Sequence, residues 1–131
     1  MVRDAQMDPC VIFCGFIENP LQVASAYDIA VSNADFEGFP NTVVEYFAAG
    51  RPVVTTDAGG VDEMVKDREN GILVPAGDDE LLYEGIALLI ENDALRSKLA
   101  GNAVKTIEEG FSEDQMIDQL ERFFRESISL K

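Results

Sequence analysis

This chain has no histidine, two cysteines, and ten Lys and Arg residues against 25 Asp and Glu. Each shortage closes off a class of function. A structural metal site usually combines Cys with His, and Cys10 and Cys14 in the run CVIFC have no histidine to complete one. They read as reduced, structural thiols in an apolar strand-like segment. A formal net charge of -15 disfavours nucleic acid or an anionic membrane surface as a partner. The sequence has no apolar run long enough to span a bilayer and no signal-peptide pattern, so a cytoplasmic location is expected. Internal repeats and low-complexity tracts are also lacking.

What is present is enough for one core. A length of 131 residues with 47% hydrophobic content fits a single domain. Short apolar runs alternate with helical patterns. VIFCGF (11–16), DIAVS (28–32), PVVTT (52–56) and ILV (72–74) read as buried strands, being short, rich in β-branched or aromatic residues and separated by turn residues. LQVASAY, NTVVEYFAA and VDEMVK between them read as helices. Such alternation implies crossover units and an α/β fold with a Rossmann-like parallel sheet flanked by helices. After Pro75 the pattern is helical to the end. Asp78 is placed to cap a helix carrying Leu82, Ile86 and Leu89, and Asn92 and Asp93 separate it from a second helix reaching about Glu109. Gly110 stops that one, and Ser112 with Gln115 forms a capping box for a last helix whose Ile117, Leu120 and Phe124 read as a core-facing stripe. The expected organisation is one domain over 1–131: a boundary or disordered segment at 1–10, alternating strands and helices over 11–75, and a helical region over 76–131.

The stretch EGFPNTVVEYFAAGRPVV (37–54) carries the most chemistry. Gly38 and Pro40 mark a turn, Asn41 is a good N-cap, and Thr42 to Ala49 offers a helix closed by Gly50. The first N–H groups of a helix lack internal partners, and the macrodipole adds roughly half a positive charge there. A diphosphate is therefore favoured at Asn41 to Val43. Glu37 lies just before that point and Glu45 about one turn beyond it. Carboxylates repel phosphate but accept hydrogen bonds from hydroxyl pairs. One anion site between two diol acceptors suits a ligand built as sugar, diphosphate and ribose. The plainer alternative is a helix start whose acidic neighbours only complement its dipole.

EGFPNTVVE, then Ala48, Gly50, Pro52, Val53 and Val54, then Gly59, Gly60 and Glu63, closely resemble the donor-binding half of retaining glycosyltransferases with the GT-B fold, in the group 1 (family 4) set. The likeness extends from about Val11 to Phe124 and includes NGILVP at 70–75 and FSEDQM at 111–116. It implies a partial C-terminal domain, with the acceptor-binding N-terminal domain missing and with part of the last helix's face, which packs on that domain in the family, left exposed. Also without counterpart are the upstream strands, where the family carries an Arg and a Lys that hold the donor diphosphate. By this resemblance Glu45 accepts the ribose hydroxyls. Glu37 contacts hydroxyls of the transferred hexose, with donor positioning as its catalytic role. Gly38, Phe39, Pro40, Asn41 and Thr42 face sugar and phosphate, although Gly38 could equally be only a turn residue. Gly59 and Gly60 match a tight strand-to-helix turn near the donor, or a purely structural one. Arg51 is assigned nothing.

The resemblance further implies no metal and no cofactor, with a nucleotide diphosphate sugar as the donor substrate. The implied reaction moves a hexose to a sugar or lipid-linked acceptor, in a parent enzyme attached peripherally to the membrane at most. Where the family often has Ser, and Pro before it, this chain has Ala34 and Asn33, so the contact normally made by that Ser is in doubt. Without cations at the leaving diphosphate, chemistry on this chain alone is expected to be very slow. A related epimerase group shares the architecture but differs in its glycine and glutamate pattern. The reading from another class is a binding or assembly module without turnover, forming a homodimer through an exposed sheet edge.

Overall fold

A computed structural model describes residues 10–111 and 113–129. The elements run α1 (Pro20–Ala24), β1 (Ala30–Ser32), α2 (Asn41–Ala48), β2 (Val53–Asp57), α3 (Val61–Met64), β3 (Ile72–Pro75), α4 (Asp79–Glu91), α5 (Asp93–Gly110) and α6 (Glu113–Ser129). The three strands form one parallel sheet in the order β1-β2-β3, with Ala30 opposite Val53 and Val54 opposite Ile72. An α/β fold with a Rossmann-like parallel sheet flanked by helices is what the alternating pattern predicts, and it is observed.

The sheet is covered on both faces, which explains why β2 reads as a continuous apolar run rather than an alternating one. Side chains alternate along a strand. Val53 accordingly joins a cluster with Ala30, Val43, Phe47, Val61, Met64, Val65 and Ala103, while Val54 joins one with Ile72, Val74, Leu89 and Leu99. Helix α5 serves both. Its i, i+4 stripe places Leu95 and Leu99 against the second cluster and Ala103 and Ile107 against the first. Helix α4 comes close to the sheet at Gly85, where a Cβ would stand 2.9 Å from a Val54 methyl and 3.0 Å from an Ile72 methyl.

Helix ends follow their local chemistry. The Asp78 side chain accepts from the N–H of Leu81, and that of Asn92 from the N–H of Leu95. Gly50 takes φ 66°, and the N–H groups of Gly50 and Arg51 return to the carbonyls of Phe47 and Tyr46, the paired closure that ends a helix on a left-handed residue. The Arg51 guanidinium reaches the Tyr27 carbonyl at 2.8 Å and the Ala49 carbonyl at 3.0 Å, tying the C-terminal end of α2 to the segment before β1. The buried amide of Asn70 accepts from the N–H of Lys66 at 2.7 Å and donates to the Met64 carbonyl and the Thr106 hydroxyl, both at 2.9 Å. It joins the α3–β3 connection to α5.

The two sheet edges differ. Along β3 the outward N–H of Leu73 donates to the Asp67 carboxylate at 3.0 Å, and Pro75, two residues on, has no N–H. Among the described residues the outer edge at β1 has no such cover, and its central Val31 is exposed.

Three expectations do not hold. VIFCGF (11–16) forms no strand, and Ile12, Phe13 and Phe16 are more than 80% exposed. Gly15 at φ 64° interrupts the extended run, and among the described residues the segment forms no ladder with the open edge of β1. Cys10 and Cys14 are consequently exposed free thiols rather than buried ones. Ile117, Leu120 and Phe124 of α6 are about half exposed instead of forming core, on the helix whose face the resemblance leaves partly uncovered. A helical stripe marks a face that gains by burial but does not supply a partner. The capping box at Ser112 and the segment 1–9 lie outside the described residues.

Candidate donor site at the start of helix α2

Ligands of open parallel sheets bind beyond the carboxyl ends of the strands. Here that end presents the loop from β1 into α2 and the turn from β2 into α3. Helix α2 begins one residue earlier than its sequence implies. Pro40 is the N-cap and is buried, and Asn41 is the first helical residue with no side-chain cap hydrogen bond. The correction has a local cause: the N–H of Asn41 bonds to the Phe39 carbonyl at 2.9 Å, closing a tight turn around Pro40. The N–H of Val43 returns to the Pro40 carbonyl at 2.9 Å. Of the three amides expected to meet an anion, only that of Thr42 has no hydrogen bond among the described residues. The anion position thus narrows to one N–H at the positive end of an eight-residue helix.

Glu37 is half-buried in the loop ahead of α2, and Glu45 is half-buried on the helix one turn in. Thr42 and Asn41 are exposed at its start. Glu37, Gly38, Phe39, Pro40, Asn41, Thr42 and Glu45 therefore all belong to one loop and helix start, as their spacing predicts. The Phe39 ring stacks at a tilt on Phe111 at 6.3 Å between centroids. Its side chain thus braces the loop on the end of α5. Tyr46, next to Glu45, titrates above the ordinary tyrosine range because burial penalises its anion, with the charges of Tyr27 and Glu45 adding to the effect.

The glycines separate into two kinds. Gly38 has no positive φ, and a Cβ built there meets nothing within 4 Å. The fold itself does not require glycine at that position. Gly59, at φ 66°, is different: a Cβ would fall 1.8 Å from the Glu37 carbonyl oxygen, and one on Gly60 would fall 2.9 Å from that of Gly38. The turn after β2 is thus pressed against the backbone of the loop that carries Glu37. Ala34, which stands where that Ser is absent, is held by a polar contact that the sequence does not disclose. The Thr56 hydroxyl donates to the Ala34 carbonyl at 2.7 Å and accepts from the Ala34 N–H at 3.0 Å. A threonine in a β-branched strand gives no signal beyond strand propensity, so only the partner distances reveal it.

A cavity of about 390 Å³ lies between β3 and α4 over Ile72, Val74 and Leu88, with Asp67, Arg68 and Glu84 among its lining residues. Two carboxylates there face one guanidinium, which already pairs with Asp67 at 3.7 Å. That chemistry does not favour an anionic ligand, and the α2 start is the better candidate. Among the described residues no three His, Cys, Asp or Glu side chains converge as metal ligands, and no helix is long and apolar enough to cross a membrane.

Comparison with known proteins gives the family and the fold. The family model described as "Glycosyl transferases group 1" matches residues 1–92. The lipopolysaccharide core biosynthesis glycosyltransferase LpsE of Rhizobium meliloti is 31% identical over 118 residues, covering 90% of this chain and 35% of its own length. The capsular polysaccharide biosynthesis glycosyltransferase CapM of Staphylococcus aureus is 29% identical, over 89% of this chain and 31% of its own length. The chain thus spans about a third of the length of these relatives. Among solved structures, Anabaena HepE in complex with UDP superposes with a TM-score of 0.91 at 26% identity, over 95% of this chain and 35% of that one. HepE has also been crystallised with UDP-glucose.

Proposed function

This chain belongs to the group 1 glycosyl transferases, and from that premise we propose that it is the donor-binding part of a retaining glycosyltransferase. The parent enzyme would transfer a hexose from a nucleotide diphosphate sugar to a sugar or lipid-linked acceptor. The observation that carries the reading is the pairing of two half-buried carboxylates, Glu37 and Glu45, around a helix start whose Thr42 N–H has no protein partner. Glu45 is assigned to the ribose hydroxyls, Glu37 to the hexose hydroxyls, and the Thr42 amide with the helix dipole to the diphosphate between them. Gly38 supports the assignment: since the fold does not need a glycine there, the open space above it is explained by close approach of the sugar.

The leaving diphosphate gains negative charge as the glycosidic bond breaks and calls for cationic stabilisation. Arg51, the basic residue nearest to α2 in sequence, is engaged at the opposite end of that helix. Turnover by this chain alone is therefore proposed to be very slow, with the diphosphate-holding Arg and Lys and the acceptor-binding domain supplied by the parent. Catalysis without a metal, front-face attack with the departing phosphate as base, and a cytoplasmic parent attached peripherally to the membrane at most belong to the same proposal.

The alternative of an assembly module rests on the uncovered edge of the sheet at β1. An NMR titration with UDP, GDP and ADP, following the amides from Gly38 to Glu45, separates the two. Selective shifts with one nucleotide support the donor site and identify its base, and UDP is expected from the complexes of HepE. No shift with any nucleotide, together with concentration-dependent shifts at Val31, would favour the assembly module.

A further inference from the structure

We propose that Thr56 is a positioning residue that sets the place of Glu37; this deepens the donor reading above and rests on it for its functional part. The strands β1 and β2 part after Ser32 pairs with Thr55. Beyond that point the backbone ladder stops, and the Thr56 side chain continues it. One hydroxyl satisfies both the N–H and the carbonyl of Ala34, at 3.0 and 2.7 Å. Thr56 is 1% exposed, so water does not compete for these bonds and their geometry is fixed by the strand beneath. Three residues after Ala34, the loop is held a second time, where Gly59 and Gly60 leave no room for a Cβ between themselves and the carbonyls of Glu37 and Gly38.

Both holds come from the segment that ends β2 and turns into α3. The short loop from Ala34 to Gly38 is thus fixed at each end by β2 rather than by α2, the helix it precedes. This has a specific consequence. Glu45 rides on α2, whereas Glu37 is registered to β2 through Thr56. Disturbing Thr56 should move the hexose contact and leave the ribose contact where it is. A residue that served stability alone would weaken both ligand halves together.

The test uses the full chain, with Thr56→Val, which keeps the shape and removes the hydroxyl, and Thr56→Ser, which restores it. In the free protein, hydrogen exchange at the Ala34 amide is expected to quicken roughly tenfold in Thr56→Val, the worth of one net hydrogen bond, and to return near wild type in Thr56→Ser. In titrations with UDP-glucose and UDP, Thr56→Val is expected to weaken UDP-glucose about tenfold while UDP changes less than about threefold, since only the hexose reports on Glu37. Thr56→Ser should recover the difference. Equal weakening of both ligands, or an unchanged Ala34 amide, overturns the proposal. Should Thr56→Val fail to fold, Thr56→Ala is read in the same two ways. If the wild-type chain binds neither ligand, the donor reading fails by itself, and the hold on the loop is still decided by exchange at Ala34 and the amide shifts of Glu37 and Gly38.

Discussion

Replacing Asn70 with alanine removes three hydrogen bonds at once: acceptance from the Lys66 N–H, and donation to the Met64 carbonyl and to the Thr106 hydroxyl. Asn70 is 4% exposed and Met64 1% exposed, so the Met64 carbonyl in particular is left without water as a substitute. At a net worth of about 1 kcal/mol for each bond, the loss comes to about 3 kcal/mol. That is a large part of the roughly 5–15 kcal/mol that holds a domain together. Urea unfolding followed by far-UV circular dichroism measures it directly. With a slope of about 2 kcal/mol per molar, the midpoint should fall by about 1.5 M. The Thr106 part is separable. The double variant Asn70→Ala, Thr106→Val should be more stable than the two single losses added together predict, with a coupling of about 1 kcal/mol. Asn70→Asp makes the sharper control, because it keeps the acceptor for Lys66 yet sets an oxygen where the Met64 carbonyl needs a donor. A loss under about 1 kcal/mol for Asn70→Ala, or no coupling to Thr106, would refute the view that this amide joins the α3–β3 connection to α5.

Glu45→Ala is expected to weaken UDP and UDP-glucose alike, by about tenfold or more for a lost charged acceptor, whereas Glu37→Ala should weaken UDP-glucose only; calorimetric titration with both ligands checks this, and equal losses with UDP would sink the division of roles. Gly38→Ala should leave the melting temperature within a degree or two of wild type, about the effect of a 0.5 kcal/mol surface change or less, yet reduce UDP-glucose binding. Gly59→Ala should instead destabilise by more than about 1–2 kcal/mol, the strain of a left-handed alanine alone, because the Glu37 carbonyl must also move away. Tyr46 predicts an alkaline effect. Its hydroxyl is held neutral in the fold and titrates above the ordinary tyrosine range, so the unfolded chain loses its proton first, near pH 10. The stability this provides is full below that pH and is lost as pH rises through the folded value. Tyr46→Phe should flatten the fall in melting temperature above about pH 10; an equally steep fall in the variant would show that other groups cause it.

Much of the fold was legible because local and tertiary demands coincide. β2 and β3 announce themselves as short β-branched runs; β2 is buried on both faces and β3 chiefly on the face of Ile72 and Val74. Asp78 stands where the backbone needs an acceptor and provides one. Apart from the Asn41 cap, the readings that failed depended on a partner that local sequence does not name. VIFCGF has the composition of a buried strand, but a strand exists only when another chain segment accepts its hydrogen bonds. The α6 stripe likewise records a preference for burial, not an occupant. At the candidate site, spacing was sufficient to bring Glu37, Thr42 and Glu45 to one helix start, since eight positions across a turn leave little freedom. Spacing could not tell which amides remain open, because the tight turn at Pro40 occupies those of Asn41 and Val43 through carbonyls that any residue carries. Thr56 was hidden for the opposite reason: its side chain fits the strand so well that a second role has no mark in the sequence.

The unequal edges of the sheet set a limit on how copies of this chain can associate. Asp67 and Pro75 work as a stopper at β3, so among the described residues hydrogen-bonded growth would have a single rim, at β1. Two copies that meet rim to rim use up the whole supply of open ladder between them, and a third finds no strand to pair with. Edge pairing in this protein is therefore self-terminating at two, where a sheet with both rims open would template a fibre.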